Sequence, residues 1–178
     1  MLATFGFNLT REKLLGTSSI QVLVVEDYEP FRRFLISTLQ NRWEVGDIHE
    51  VSDGLEAVQE AQRLQPDLIL LDIGLPKLNG IEAARRIRKL SPTSKIIFVT
   101  QESSPDVVQE ALGLGALGWV VKAHAGRELI AAVEAVREGR LFVSAGVTGQ
   151  RPAEVADNQA PKGLHPDGVL APIPEAGD

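Results

Sequence analysis

The stretch PDLILLDIGLPKLNGIEAARRIR, Pro66–Arg88, decides the fold. Leu68–Leu71 is an unbroken apolar run, short and without polar alternation, as a strand covered on both faces requires. Asp72 closes that run. After a loop that holds Gly74, Asn79 is of the type that caps a helix, and Ile81, Ala84, Ile87 and Leu90 recur at helical spacing. This is one strand–helix unit, ended by an acid.

The same unit repeats on either side. Upstream, Gln21–Val25 is a buried-strand run bounded by acids, and Pro30 suits the first turn of a helix carrying Phe31, Phe34, Leu35 and Leu39. Trp43–Val51 reads as the next strand. Asp53 with Glu56 resembles a capping box, opening a helix whose inner face is Ala57, Val58, Ala61 and Leu64. Downstream, Ile96–Val99 is another buried strand, with Ser104 and Pro105 starting a helix after it. Trp119–Val121 is the fifth strand. Leu129, Ala132, Val133 and Val136 then line a final helix that Gly139 terminates. Strands that alternate with helices and are apolar on both faces define an α/β fold with a parallel sheet covered on two sides.

Residues 1–19 show no clear period and are read as an N-terminal extension. Residues 20–144 form the folded domain. Residues 145–178 hold Pro152, Pro161, Pro166, Pro172 and Pro174, half of the ten prolines, and no aromatic residue. Such a segment cannot offset its ordering entropy, so a flexible tail is expected.

Composition narrows the function. With 44% hydrophobic and 24% charged residues the chain suits a globular protein. A net charge of −6 repels phosphate backbones, and direct nucleic-acid binding is not expected. The absence of cysteine removes disulfides, thiolate nucleophiles and cysteine-ligated zinc. No apolar run approaches the roughly 20 residues that span a bilayer, and MLATFGFNLTREKLLG does not read as a secretory signal. No membrane association and a cytoplasmic location are therefore expected.

Sheets of this kind carry their ligand site beyond the carboxyl ends of the strands, where the strand order reverses. The residues there are Glu26 and Asp27 after the first strand, Asp72 after the third, Thr100 after the fourth and Lys122 after the fifth. Singly, each has an ordinary explanation. A carboxylate after a strand is usually a turn or cap residue, threonine a strand former and lysine a solvated edge charge. Their coincidence at successive strand ends favours a site. Converging carboxylates repel unless a cation sits among them, and magnesium suits an all-oxygen site that keeps several waters. A hydroxyl and an ammonium beside it fit a phosphoryl group. Asp72 then serves as a nucleophile forming an acyl phosphate, while the cation and Lys122 neutralise the phosphoryl oxygens. His49, His124 and His165 lack metal-ligand spacing, and Trp119 taken alone is a core residue.

The motifs VLVVEDYEPFR at Val22–Arg32, VSDGLEAV at Val51–Val58, Pro66–Arg88 as quoted, IIFVT at Ile96–Thr100 and GALGWVVKAHAGRELIAAVEAVREG at Gly115–Gly139 together resemble the receiver domain of two-component response regulators. The likeness covers about two thirds of the chain. It implies a flavodoxin-like, doubly wound, five-stranded parallel sheet of order 2-1-3-4-5 with five helices. It also implies that a histidine kinase or phosphotransfer protein phosphorylates Asp72. Magnesium (Mg2+) would be held by the Asp27 and Asp72 side chains and the Gly74 carbonyl, with Glu26 acting mostly through water. Thr100 and Lys122 would contact the phosphoryl oxygens. Trp119 stands at the family's switch-aromatic position, to turn inward when Thr100 moves, and the surface nearby would change its preference for a downstream protein partner or a second copy in a homodimer.

Ala125–Ser144 (AGRELIAAVEAVREGRLFVS) resembles receivers that precede a LuxR-type helix-turn-helix, but no paired helices follow it, and a DNA-binding output segment is not expected in the tail. Gln101 stands where a small residue is common and is expected to narrow the approach to Asp72. Glu102 adds an acid, and Ala123 replaces a frequent proline. Two other readings compete. One is a receiver fold acting as an interaction module without phosphorylation. The other is an enzyme, a phosphatase of the haloacid dehalogenase type; its chemistry needs a second acid two residues after the nucleophile, where this chain has Gly74. A non-enzymatic signalling switch is the reading the residues favour.

Overall fold

A computed structural model describes residues 19–41, 45–145 and 147. The expectations for the N-terminal extension up to residue 18, for Trp43 and Glu44 in the second strand and for nearly all of the tail lie outside the described residues.

The elements run β1 (Ile20–Val25), α1 (Glu29–Gln40), β2 (Val45–Val51), α2 (Gly54–Leu64), β3 (Leu68–Leu71), α3 (Gly80–Leu90), β4 (Lys95–Thr100), α4 (Pro105–Gly113), β5 (Gly118–Val121), α5 (Ala125–Arg137) and β6 (Phe142–Val143). All described strand pairs are parallel. The strand order is β2-β1-β3-β4-β5-β6, which reverses between β1 and β3.

The five expected strands lie in the expected order, 2-1-3-4-5, and a short sixth strand joins them at the edge. Phe142–Val143 adds to the outer edge of β5, with Phe142 N donating to Leu117 O at 2.9 Å and Ser144 N donating to Trp119 O at 2.8 Å. Two residues are too few for a period to be read, but the backbone groups along the β5 edge still need partners.

Helix starts follow the sequence. Asp53 and Asn79 each accept from the amide three residues on, Glu56 N and Glu82 N, both at 2.9 Å. Gly139, with φ +79°, follows α5 and donates to Val136 O. Two apolar layers flank the sheet. One gathers Leu23, Val25, Ile69, Leu71, Phe98 and Trp119 with α2, α3 and α4; Val147 is also buried there. The other gathers Val22, Val24, Leu70, Ile97, Val99 and Val120 with α1 and α5. Phe34 and Leu90, expected on apolar helix faces, are partly exposed at 37% and 40%. Each lies at the margin of its helix's buried stripe.

Candidate functional site

Ladder hydrogen bonds carry the strand register one residue past the strand ends. Glu26 N donates to Val51 O at 3.1 Å and Asp72 N to Val25 O at 3.0 Å. Two acids from remote segments therefore stand side by side at the point where the strand order reverses. Asp27 follows Glu26 into the turn, and one carboxylate oxygen from each of Glu26, Asp27 and Asp72 lies within 4.8 Å of the others. Glu26 and Asp72 are buried, whereas Asp27 is exposed.

These acids open into a cleft of about 600 Å³ that Gly74, Thr100 and Lys122 also line. Six of the seven residues expected at the site thus face one space. The seventh, Trp119, does not: it is fully buried, its ring 5.7 Å from that of Phe98. Its indole Nε1 has no acceptor among the described residues.

The Lys122 ammonium donates to Glu26 Oε1 and to Asp72 Oδ2, each at 2.8 Å. It also lies 2.7 Å from Glu26 Oε2, but that contact lacks hydrogen-bond geometry, and Oε2 is buried without a donor. Burial pushes the Glu26 carboxyl above its ordinary value, against the pull of Lys122, and the neighbouring Asp72 charge adds to the rise. Burial pulls the Lys122 ammonium down, but its bonds to Asp72 and Glu26 outweigh that and hold it above the usual lysine value.

Three carboxylates whose oxygens converge within 4.8 Å at one cleft, two of them on buried residues, are the oxygen set a hard divalent cation takes. The residues present fit magnesium. Asp72 Oδ1 is steadied by the Ile73 amide at 2.7 Å, which leaves Oδ2 toward Lys122.

Glu102 lines the cleft but turns its carboxylate to its own loop, accepting from Ser103 N and Ser104 N at 2.8 Å. Those bonds hold it below the usual carboxylate range. Ser104 stands at the N-cap of α4 but makes no side-chain cap, and its own amide donates to Glu102. Thr100 is buried, and its Oγ1 accepts from Glu102 N at 3.2 Å. Among the described residues no peptide bond is cis, so Lys122–Ala123 is trans.

Two residues of α1 went unseen as parts of the site. Arg32 donates Nη1 to the Glu26 carbonyl at 2.7 Å and Nε to Glu50 at 2.9 Å, pinning the acidic turn to β2. Phe31, read as a helix core residue, places its ring 5.0 Å from Lys122 Nζ. Neither spacing nor residue type signals such contacts; they exist only between segments.

The family model for the response regulator receiver domain matches residues 22–134. The chain belongs to the response regulator receiver family of two-component systems. It is similar to the transcriptional regulatory protein LnrK of Bacillus subtilis, 30% identical over 82% of this chain and 66% of that protein. It is also similar to the transcriptional regulatory protein LiaR of the same organism, 33% identical over 74% and 62%. Among solved structures it resembles a LuxR-family two-component response regulator from Aurantimonas sp. SI85-9A1, with a TM-score of 0.69 and 28% identity over 73% of this chain and 93% of that one. The chain spans two thirds or less of the length of the two Bacillus proteins. Such relatives are mostly transcriptional regulators rather than enzymes, and receiver domains interact with histidine kinases and downstream partners. No described helix is long and apolar enough to cross a membrane.

Proposed function

We propose that this chain is a phosphorylation-dependent signalling switch in which Asp72 accepts a phosphoryl group from a histidine kinase or phosphotransfer protein. The observation that carries the reading is the convergence of Lys122 Nζ on Asp72 Oδ2 and Glu26 at 2.8 Å, inside a cleft shared with Asp27 and Thr100.

In the proposed step an Asp72 carboxylate oxygen attacks phosphorus. The new O–P bond forms as the donor's N–P bond breaks, and the departing imidazole nitrogen keeps the electron pair. Asp27, Asp72 and the Gly74 carbonyl would hold Mg2+, with Glu26 behind them. Bound there, the cation neutralises charge on the phosphoryl oxygens. Lys122, already positioned, supplies a second positive charge, and the Thr100 hydroxyl, whose oxygen accepts from the Glu102 amide, has its O–H to donate to a phosphoryl oxygen.

Thr100 and Trp119 then form the proposed switch. The Trp119 N–H is buried without an acceptor, so its present seat is not held by a polar anchor and a shift of Thr100 can redistribute it. Output passes through contacts with a downstream protein or a second copy of the chain. The domain is assigned to residues 20–144, with the segments on either side as an extension and a tail.

Acetyl phosphate with Mg2+ should add the mass of one phosphoryl group, located on Asp72 by peptide mapping and absent from Asp72→Asn. No gain in the parent chain, with no beryllofluoride binding, would instead support a receiver fold acting without phosphorylation.

A further inference from the structure

The Phe31 ring stands over the Lys122 ammonium, and the proposed phosphoryl chemistry leaves it without a role. We propose that Phe31 is a positioning residue, its ring face holding the ammonium between Glu26 and Asp72 while leaving a donor free for an incoming phosphoryl oxygen. The role rests on Asp72 being the phosphoacceptor.

The Lys122 side chain is only 14% exposed, so water solvates little of its charge. Glu26 Oε1 and Asp72 Oδ2 take two of its three N–H donors. The Phe31 centroid, 5.0 Å from Nζ, adds an attractive contact from outside the two carboxylates. A polar side chain at that place would accept the remaining donor and would have to be displaced when a phosphoryl oxygen arrives. An aliphatic one would shut out water and return nothing. An aromatic face attracts the cation through its quadrupole and engages no donor strongly.

The ring is itself held. Phe31 is partly buried against the α1–α5 layer and packs on Phe34 with centroids 5.5 Å apart. The same turn of α1 carries Arg32, which grips the Glu26 carbonyl, and Tyr28 just before the helix donates its amide to Glu26 Oε1 at 3.2 Å. One stretch of helix therefore sets both the acidic turn and the amine that faces it.

The test has two parts on the whole chain. In the metal-free wild type, the Lys122 ε-methylene protons should show an upfield ring-current shift by NMR; ordinary lysine shifts would overturn the contact. Beryllofluoride binding with Mg2+ should weaken about three- to tenfold in Phe31→Leu and hold at the wild-type level in Phe31→Tyr. Equal affinity in Phe31→Leu and wild type, or equal loss in both variants, overturns the role of the ring face. A wild-type protein that binds no beryllofluoride removes the phosphoacceptor reading and this role with it; an intact ring-current shift would then mark the contact as structural only.

Discussion

A Cβ on Gly80 would stand 2.0 Å from the carbonyl oxygen of Asp72, so the start of α3 and the residue that follows β3 meet through backbone alone. Gly80 N also donates to Ile73 O at 2.9 Å, which closes the loop between them. The loop carrying Gly74 and the carboxylate at its base are thus held by the absence of a side chain. Gly80→Ala has to move one of them. It should cost about 1–3 kcal/mol and weaken beryllofluoride binding. Gly126 in α5 is the control: a Cβ there meets Phe34 at an ordinary 3.9 Å. Gly126→Ala, in the first turn of α5, should be neutral or stabilise by up to about 0.5 kcal/mol. Urea unfolding of both variants decides it, and a neutral Gly80→Ala would contradict the packing.

Asp53 should make stability depend on pH. Its carboxylate accepts from Glu56 N at 2.9 Å and from Lys77 Nζ at 2.6 Å. The Glu56 amide first, and Lys77 second, hold its carboxyl below the ordinary aspartate value. The folded state therefore binds this proton less readily than the unfolded chain. The stabilisation is complete above the unfolded value of about 3.9 and is lost as pH falls through the lower folded value. Asp53→Ala should cost about 1 kcal/mol at neutral pH, mostly through the cap, since Lys77 is largely exposed. Urea midpoints of the two proteins should converge below about pH 4; a gap that stays constant with pH would contradict the assignment.

Glu26→Gln should trade metal binding for stability. Glu26 is 1% exposed, and its Oε2 lacks a donor. Burial raises the Glu26 carboxyl in spite of its Lys122 partner. Lys122 keeps Asp72 when the charge is removed, so Glu26→Gln relieves more desolvation than it loses in ion pairing. The metal-free variant should melt higher, by about 1 kcal/mol, while Mg2+ binds about tenfold more weakly. Thermal melts with and without Mg2+ test both halves, and a metal-free variant less stable than the parent would count against the reading of Oε2.

Ser144→Ala should loosen the sixth strand. Ser144 Oγ accepts from Val121 N at 3.0 Å and donates to Glu128. Its loss leaves a strand amide next to Lys122 without that partner, at a cost of about 1–3 kcal/mol. Hydrogen exchange should accelerate at Val121 and along β6 but not in β1 or β3. Uniform protection would show that β6 is held by its backbone bonds alone.

How much was legible depended on the kind of signal. Asp53 and Asn79 were readable as caps because a cap and the amide it serves lie within one turn. Gln21–Val25 and Leu68–Leu71 were readable as strands because burial on both faces leaves an apolar run. Ser104 and Pro105 were readable as a helix start, although the Ser104 side chain makes no cap hydrogen bond there. Trp119 could be placed in the core but not given its partner, Phe98 on the neighbouring strand.

Order and type of the first five strands and of the five helices, most of the apolar set and the identity of the strand-end residues follow from the sequence alone, since each is a short-range pattern of period and cap. The tertiary structure alone decided what those residues touch. Glu26 and Lys122 are 96 positions apart in the chain, and no local rule makes one a partner of the other or leaves Oε2 without a donor. The same holds for the Phe31 ring over the ammonium, the Arg32 grip on the acidic turn and the two-residue strand that pairs with β5. Contacts between remote segments are set by how the sheet and helices pack, and packing is a property of the whole chain.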